Sequence, residues 1–407
     1  ETGEERYLKL AQFFVEVRKP GVPIANPHFP ALGSRYDQSH EPLREQSEAV
    51  GHAVRAVYFY CAATDLVTET DDEELRAAME RLWQNVTRRK MYISGGIGAR
   101  HGSEAFGDDY ELPNATSYCE TCAAIGLVMW SWRLLQLTGE ARFADILERA
   151  LYNAVLPGLS LSGDRYFYDN PLESDGSKAR QEWFGCACCP PNIARLLAQL
   201  PGYFCSIGDN EVWLHLYAQS TLKIAMQNGA ATLDVSTQYP WNGDVEIRVA
   251  ETTSDEWTLF LRVPAWCAEG DAQPQLLING ETRHGELTPE NYVAIRRVWQ
   301  NDDCVQLQLP MRVALLNGPL LYCIEDCDHD QNVAALAISR DASLDVEWKK
   351  ELLNGVNVLK TEGHFLPDLA NWDEALYRPA KTGATQKVAI TAIPYYAWGN
   401  REKGAMR

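Results

Sequence analysis

Apolar residues recur at helical spacing through the first half of the chain. Between residues 45 and 66 they form a stripe around Val50, Val54, Val57 and Cys61, the pattern of a helix half-buried in a bundle. Asp71 to Glu74 open the next periodic segment with acidic residues, and Arg88, Arg89 and Lys90 close it, a polarity that suits the helix dipole. A third segment runs from Glu120 to Leu137 and stops at Gly139, and a fourth runs from Arg142 to Val155 and stops before Pro157-Gly158. Thr2-Gly3-Glu4-x-Arg6-Tyr7 returns as Thr138-Gly139-Glu140-x-Arg142-Phe143, each time at the entrance to a helix, which predicts repeated helical hairpins. After Cys205 the period drops to two. Val212 to Tyr217 and Trp257 to Arg262 alternate as strands, with turns such as Asn279-Gly280 between strands, the texture of a β-sandwich. From about 320 to 380 the alternation weakens, and this stretch reads as a second sandwich or an insertion. The expected organisation is therefore a helical domain over 1–205 and a β-sandwich region over 206–407, which suits a chain of 407 residues.

Charge narrows the partners. A formal net charge of −19 repels phosphate backbones and anionic bilayer surfaces, so nucleic acid and membrane are not the expected partners. No apolar run approaches the roughly 20 residues of a membrane span. Eleven cysteines are an odd number, and they cluster, against the habit of a secreted disulfide framework; a reducing, cytoplasmic setting is the expectation. The first residue is Glu1, and Thr2-x-x-Glu5 reads as a capping box, so the sequence opens at a loop between helices and reads as a fragment, any export signal lying upstream.

The candidate chemistry sits in three places. The segment from Tyr92 to Glu104, with its four glycines, is too long for a linker inside a compact domain and reads as a functional loop; it lacks the Lys-Ser/Thr ending of a phosphate cradle. Cys119-Glu120-Thr121-Cys122 and Cys186-Ala187-Cys188-Cys189 are paired, short-spaced donors of the kind zinc uses, packed free thiols being the blander alternative. Two ligand sets compete. Cys119 and Cys122 with two of the second cluster would make a closed thiolate site, whereas Glu120, Cys122, Cys188 and Cys189 would make a mixed one. Residue chemistry alone leans slightly to the first. Pro190 and Pro191 predict a helix starting at Cys188 and Cys189, whose dipole lowers thiol pKa. Ser117-x-x-Glu120 is also a capping box, and Glu120 and Cys122 converge on one ion only if the helix begins about there.

Taken together, these motifs resemble glycoside hydrolase family 127, zinc-dependent β-L-arabinofuranosidases. The likeness rests on Val50-Gly51-His52-Ala53, Tyr92-Ile93-Ser94-Gly95-Gly96-Ile97-Gly98, His101-Gly102-Ser103-Glu104, Cys119-Glu120-Thr121-Cys122, Tyr168-x-Asn170-Pro171-Leu172, Cys-x-Cys-Cys-Pro and Ile393-Pro394-Tyr395-Tyr396-Ala397-Trp398. The resemblance implies the C-terminal part of an (α/α)6 barrel catalytic domain followed by β-sandwich domains. It implies Zn2+ held by Glu120, Cys122, Cys188 and Cys189, with Cys188 as nucleophile and Glu104 as acid/base of a retaining hydrolase. His52 and Tyr168 match positions that line the sugar pocket, for a small oligosaccharide or glycoside substrate. Against the family's pattern, the strand and half-barrel expected before residue 1 are absent from this sequence, so uncovered apolar faces and low stability or activity are expected of the isolated chain. Exposed sandwich surfaces suit a homodimer. A carbohydrate-binding protein with a structural zinc is the alternative, opposed by the presence of a proton donor and a thiol that binding does not need. A redox thiol protein is a third reading, for which Cys119-x-x-Cys122 lacks the βαβ setting.

Overall fold

The structure is a computed structural model that describes residues 3–21, 33–253, 256–268, 272–283, 286–311, 316–339, 341–366 and 386–407. Seven helices precede the sheets among these residues: α1 Glu5–Val17, α2 Gly33–Tyr36, α3 Ala53–Thr70, α4 Glu73–Asn85, α5 Thr121–Thr138, α6 Ala141–Ala150 and α7 Cys189–Gln199. No helix among them is long and apolar enough to cross a membrane. The periodic stripe expected over 45–66 becomes a helix only from Ala53. Gly51 lies at φ +74°, and a Cβ there would stand 2.0 Å from the carbonyl oxygen of Arg35, so the chain turns through a glycine-only conformation before α3 can start. The acidic opening of α4 has its cause in Asp72, whose side chain accepts from the Leu75 amide at 2.9 Å. Single π-type turns, Val86–Lys90 and Leu151–Val155, extend α4 and α6 to the ends expected from their patterns. The echoed motifs open α1 and α6 directly after Glu4 and Glu140, Thr2 lying outside the described residues.

The helical core lies between α3 and α5. Gly126 permits their close approach, since a Cβ there would meet Val57 Cγ2 at 2.3 Å. Trp130 then packs against Tyr60 with ring centres 4.9 Å apart and donates its indole N–H to Thr64 Oγ1 at 3.0 Å, satisfying a fully buried polar atom. On the outside of this core, Tyr7, Leu10, Phe13 and Phe14 of α1 are exposed.

Two sheets follow. One orders its strands Cys205–Ile207, Glu211–Leu214, Glu256–Arg262, Tyr292–Val298, Glu286–Leu287. The other orders Ser220–Met226, Gly229–Thr237, Asp244–Thr252, Cys304–Gln308, Gln275–Ile278, Glu281–Arg283. Their alternating inward residues, among them Leu214, Leu259 and Ile295 from the first and Leu233, Ile247 and Val305 from the second, share one core, which makes the pair a sandwich. A third sheet runs Leu316–Asn317, Leu320–Cys323, Gln386–Pro394, Val356–Phe365, Leu336–Ile338. Both its faces are covered: Leu321, Cys323, Val358 and Ile393 pack with Phe167 and Trp398, and Leu320, Tyr322, Leu359 and Ile390 form a second cluster. Strands buried on both faces lose alternation, which is why the stretch after 320 looks irregular; part of that stretch lies outside the described residues.

Polar groups fasten the helices to both β regions. Fully buried Arg262 bonds Asp145 at 2.9 Å and Glu148 at 2.5 Å, and Tyr239 donates to Glu148 at 2.8 Å. Asn153 donates to the Pro319 carbonyl at 2.8 Å and accepts from the Leu321 amide at 2.8 Å.

Candidate active site

The loop from Tyr92 to Glu104 is closed by backbone pairing. Gly95 N and Tyr92 O, and Tyr92 N and Gly96 O, tie its first half, while Arg100 and Ala105 exchange both hydrogen bonds at 3.0 Å around a tight turn. That turn holds Ser103 at φ +67° and Glu104 at φ +50°, a conformation non-glycine residues seldom adopt and one that concentrates at functional sites. Ala105 also bridges His52, which stands at the start of α3. The result is a contact of 2.9 Å between His52 Nε2 and Glu104 Oε2.

A second pairing brings residues 118–121 against 167–170. The Thr121 amide donates to the Tyr168 carbonyl at 2.9 Å, the Asn170 amide donates to the Tyr118 carbonyl at 3.1 Å, and Glu120 bridges Asp169. Glu120 precedes the first residue of α5 and makes no capping bond, and Ser117 Oγ donates instead to the Asn114 carbonyl. The capping-box reading of Ser117 and Glu120 is therefore corrected: Glu120 itself is the N-cap, and the helix begins at Thr121, three residues later than that box would start it. That start leaves Glu120 and Cys122 free to face one point. Cys119, at φ +43°, packs among Tyr92, Ala99, Leu112 and Leu172.

Into this point comes the N-terminus of α7. Cys188 precedes the helix and Cys189 is its first residue. Cys188 Sγ lies 3.5 Å from Glu120 Oε1 and 3.7 Å from Cys189 Sγ; Cys189 Sγ lies 3.5 Å from Cys122 Sγ. One ligand atom from each of Glu120, Cys122, Cys188 and Cys189 falls within 4.8 Å of the others, a grouping able to hold a metal ion. Glu120 Oε2 is buried with no hydrogen-bond partner among the described residues, an orphaned carboxylate oxygen that a cation would satisfy. Cys119 lies outside this group, and Cys186 is exposed with its sulfur 3.9 Å from the Tyr168 hydroxyl. The sequence reading brought out Tyr168, whose hydroxyl stands 3.1 Å from Cys188 Sγ.

Burial and the nearby Cys188 push the Glu120 carboxyl up to about 9. The hydrogen bond from His52 holds Glu104 below the usual carboxylate range against the opposing effect of burial, and the Tyr118 hydroxyl, donating at 2.8 Å, adds to it. Hydrogen bonds from Cys122 and Cys189 hold the Cys188 thiol below its ordinary value. Cys188 is half-buried, and with Cys122 it lines a cavity of about 510 Å³ together with Arg55, Tyr58, Asn192 and Arg195. Tyr118 is the residue that the sequence reading missed. It lies 14 residues from Glu104, and nothing in local periodicity marks a partner at that distance.

The family model described as the β-L-arabinofuranosidase GH127 catalytic domain matches residues 1–202, that of the GH127 middle domain 211–311, and that of the family 127 C-terminal domain 296–407. A non-reducing end β-L-arabinofuranosidase of Bifidobacterium longum subsp. longum is 32% identical, over 100% of this chain and 68% of its own length. The crystal structure of a GH127 β-L-arabinofuranosidase from Geobacillus stearothermophilus T6 superposes with a TM-score of 0.90 at 39% identity, over 100% of this chain and 69% of that one. A second solved GH127 β-arabinofuranosidase gives 0.89 at 36% identity, over 100% of this chain and 66% of that one. With model matches running nearly end to end, the chain belongs to glycoside hydrolase family 127, a family of hydrolases.

Proposed function

We propose that the protein releases L-arabinose from β-L-arabinofuranosides with retention of configuration, Cys188 acting as nucleophile and Glu104 as acid/base. The observation that carries this reading is the grouping of Cys188 with Glu120, Cys122 and Cys189 in one cluster, while the carboxylate of Glu120 lies within 4.8 Å of that of Glu104. Retaining hydrolases need a nucleophile and a proton carrier about 5 Å apart across the anomeric carbon. The relatives named above, β-L-arabinofuranosidases, supply the sugar.

In the first step the Cys188 sulfur forms a bond to the anomeric carbon as the glycosidic C–O bond breaks, and Glu104 delivers a proton to the departing oxygen. His52 holds one carboxylate oxygen of Glu104 and the Tyr118 hydroxyl holds the other, which fixes the carboxyl group for proton transfer. In the second step Glu104 takes a proton from water, whose oxygen bonds to the anomeric carbon while the C–S bond breaks. The family resemblance assigns Tyr168 and His52 to contacts with the sugar.

Glu120, Cys122, Cys188 and Cys189 fit zinc, which favours thiolate and carboxylate donors in fours. When bound, zinc would keep the Cys188 sulfur ionised at neutral pH. A purely structural metal would be closed off, whereas Cys188 opens on a cavity, which favours the catalytic reading. The test is hydrolysis of 4-nitrophenyl β-L-arabinofuranoside followed by proton NMR. Release of β-L-arabinofuranose as first product is expected; an inverted product, or no turnover by protein loaded with zinc, would defeat the reading.

A further inference from the structure

Besides the cavity on Cys188, a cleft of about 900 Å³ separates the helical domain from the third sheet. Its helical wall carries His101, Asp169, Glu173 and Lys178, and the 326–334 segment of the sheet domain contributes Asp330 and Gln331. His101, which lines the cleft, belongs to the turn that carries Glu104. The Glu104 amide donates to the His101 carbonyl at 3.2 Å, and the His101 ring lies 4.9 Å from that of Tyr118, whose hydroxyl holds Glu104. Asp169 follows Tyr168 directly. Cys188 lines the other cavity and not this cleft.

In a displacement at carbon the entering and departing groups lie on opposite sides, so a unit protonated by Glu104 leaves on the side away from Cys188. We propose that the interdomain cleft is the leaving-group subsite, taking an uncharged, polyhydroxylated unit such as a neutral sugar through Glu173 and Gln331. This rests on the retaining, Cys188-nucleophile reading above. The lining chemistry sets the class. Asp169 is already paired with Lys178, and Asp326 accepts from the Ala405 amide at 2.9 Å. Glu173, Asp330 and Gln331 make no side-chain hydrogen bond or ion pair with other described residues, so their acceptors and the amide donor face the cleft unused. Unpaired carboxylates accept from sugar hydroxyls and repel an anionic unit. A flat aryl group offers no such donors. The C-terminal sheet domain thereby acquires a part in substrate choice.

The experiment compares wild type with the double variant Glu173→Ala/Gln331→Ala, neither position being part of the catalytic cluster. Two substrates are used: 4-nitrophenyl β-L-arabinofuranoside, and a β-L-arabinofuranosyl disaccharide with a neutral pentose as leaving unit. For the variant, kcat/KM on the disaccharide is expected to fall about a hundredfold, a decade for each of the two lost hydrogen bonds, while the aryl glycoside stays within about twofold. Equal losses on both substrates, no loss on the disaccharide, or a wild type that cleaves the aryl glycoside but not the disaccharide would overturn the proposal and leave the catalytic reading standing. A wild type that cleaves neither would defeat the catalytic reading, and this one with it.

Discussion

His215 offers a test of the seam between helices and sandwich. It is buried, with Nδ1 2.6 Å from the Tyr292 hydroxyl, Nε2 2.7 Å from Ser206 Oγ, and its ring against Trp132. Burial, with a smaller contribution from Arg262, depresses its pKa from an ordinary 6.5 to about 3. Between those two values the unfolded chain binds a proton that the folded protein does not, so the contribution is complete above pH 6.5 and is lost as pH falls towards 3. From pH 8 to pH 5 the loss from this one group is about 2 kcal/mol, from about 1.4 kcal/mol per pH unit over the window crossed. His215→Gln keeps polar ends near Tyr292 and Ser206 but cannot be protonated. Urea unfolding followed by tryptophan fluorescence should show the variant less stable than wild type at pH 8 and the gap closing by about 2 kcal/mol at pH 5. If both proteins lost the same stability over that range, the claim that His215 is buried neutral at this seam would be wrong.

Purified protein should carry about one zinc per chain by metal analysis. Cys122→Ala should lose it and Cys186→Ala should keep it; equal loss would point to a broader thiolate cluster. Glu104→Ala should slow alkyl glycosides far more than activated aryl glycosides, because only the former need the first proton, by roughly 10²-fold or more in kcat. Cys188→Ala should abolish turnover of both in the same assay. Gly51→Ala should cost about 2 kcal/mol or more in denaturant unfolding, since its Cβ meets backbone at 2.0 Å. A stability unchanged from wild type would show that this turn yields easily.

What the sequence by itself determined was local. The 3.6-residue stripes located α4, α5 and α6 to within a few residues, the two-residue alternation marked the sandwich strands, and Pro190-Pro191 put two cysteines at a helix start. Those signals are legible because a helix or strand writes its buried face into neighbouring positions. The family resemblance, not periodicity, supplied the roles of Glu104 and Cys188. The remainder depended on tertiary structure. Whether Cys119 or Glu120 turns towards Cys188 is decided by a positive φ at Cys119 and by pairing of residues 118–121 with 167–170. The start of α3 is decided by what Gly51 meets across the fold, the carbonyl of Arg35. Tyr118 reaches Glu104, and His101 and Asp330 line one cleft, only because segments far apart in the chain are packed together. Such contacts leave no period in the sequence, since each depends on where a distant backbone happens to pass.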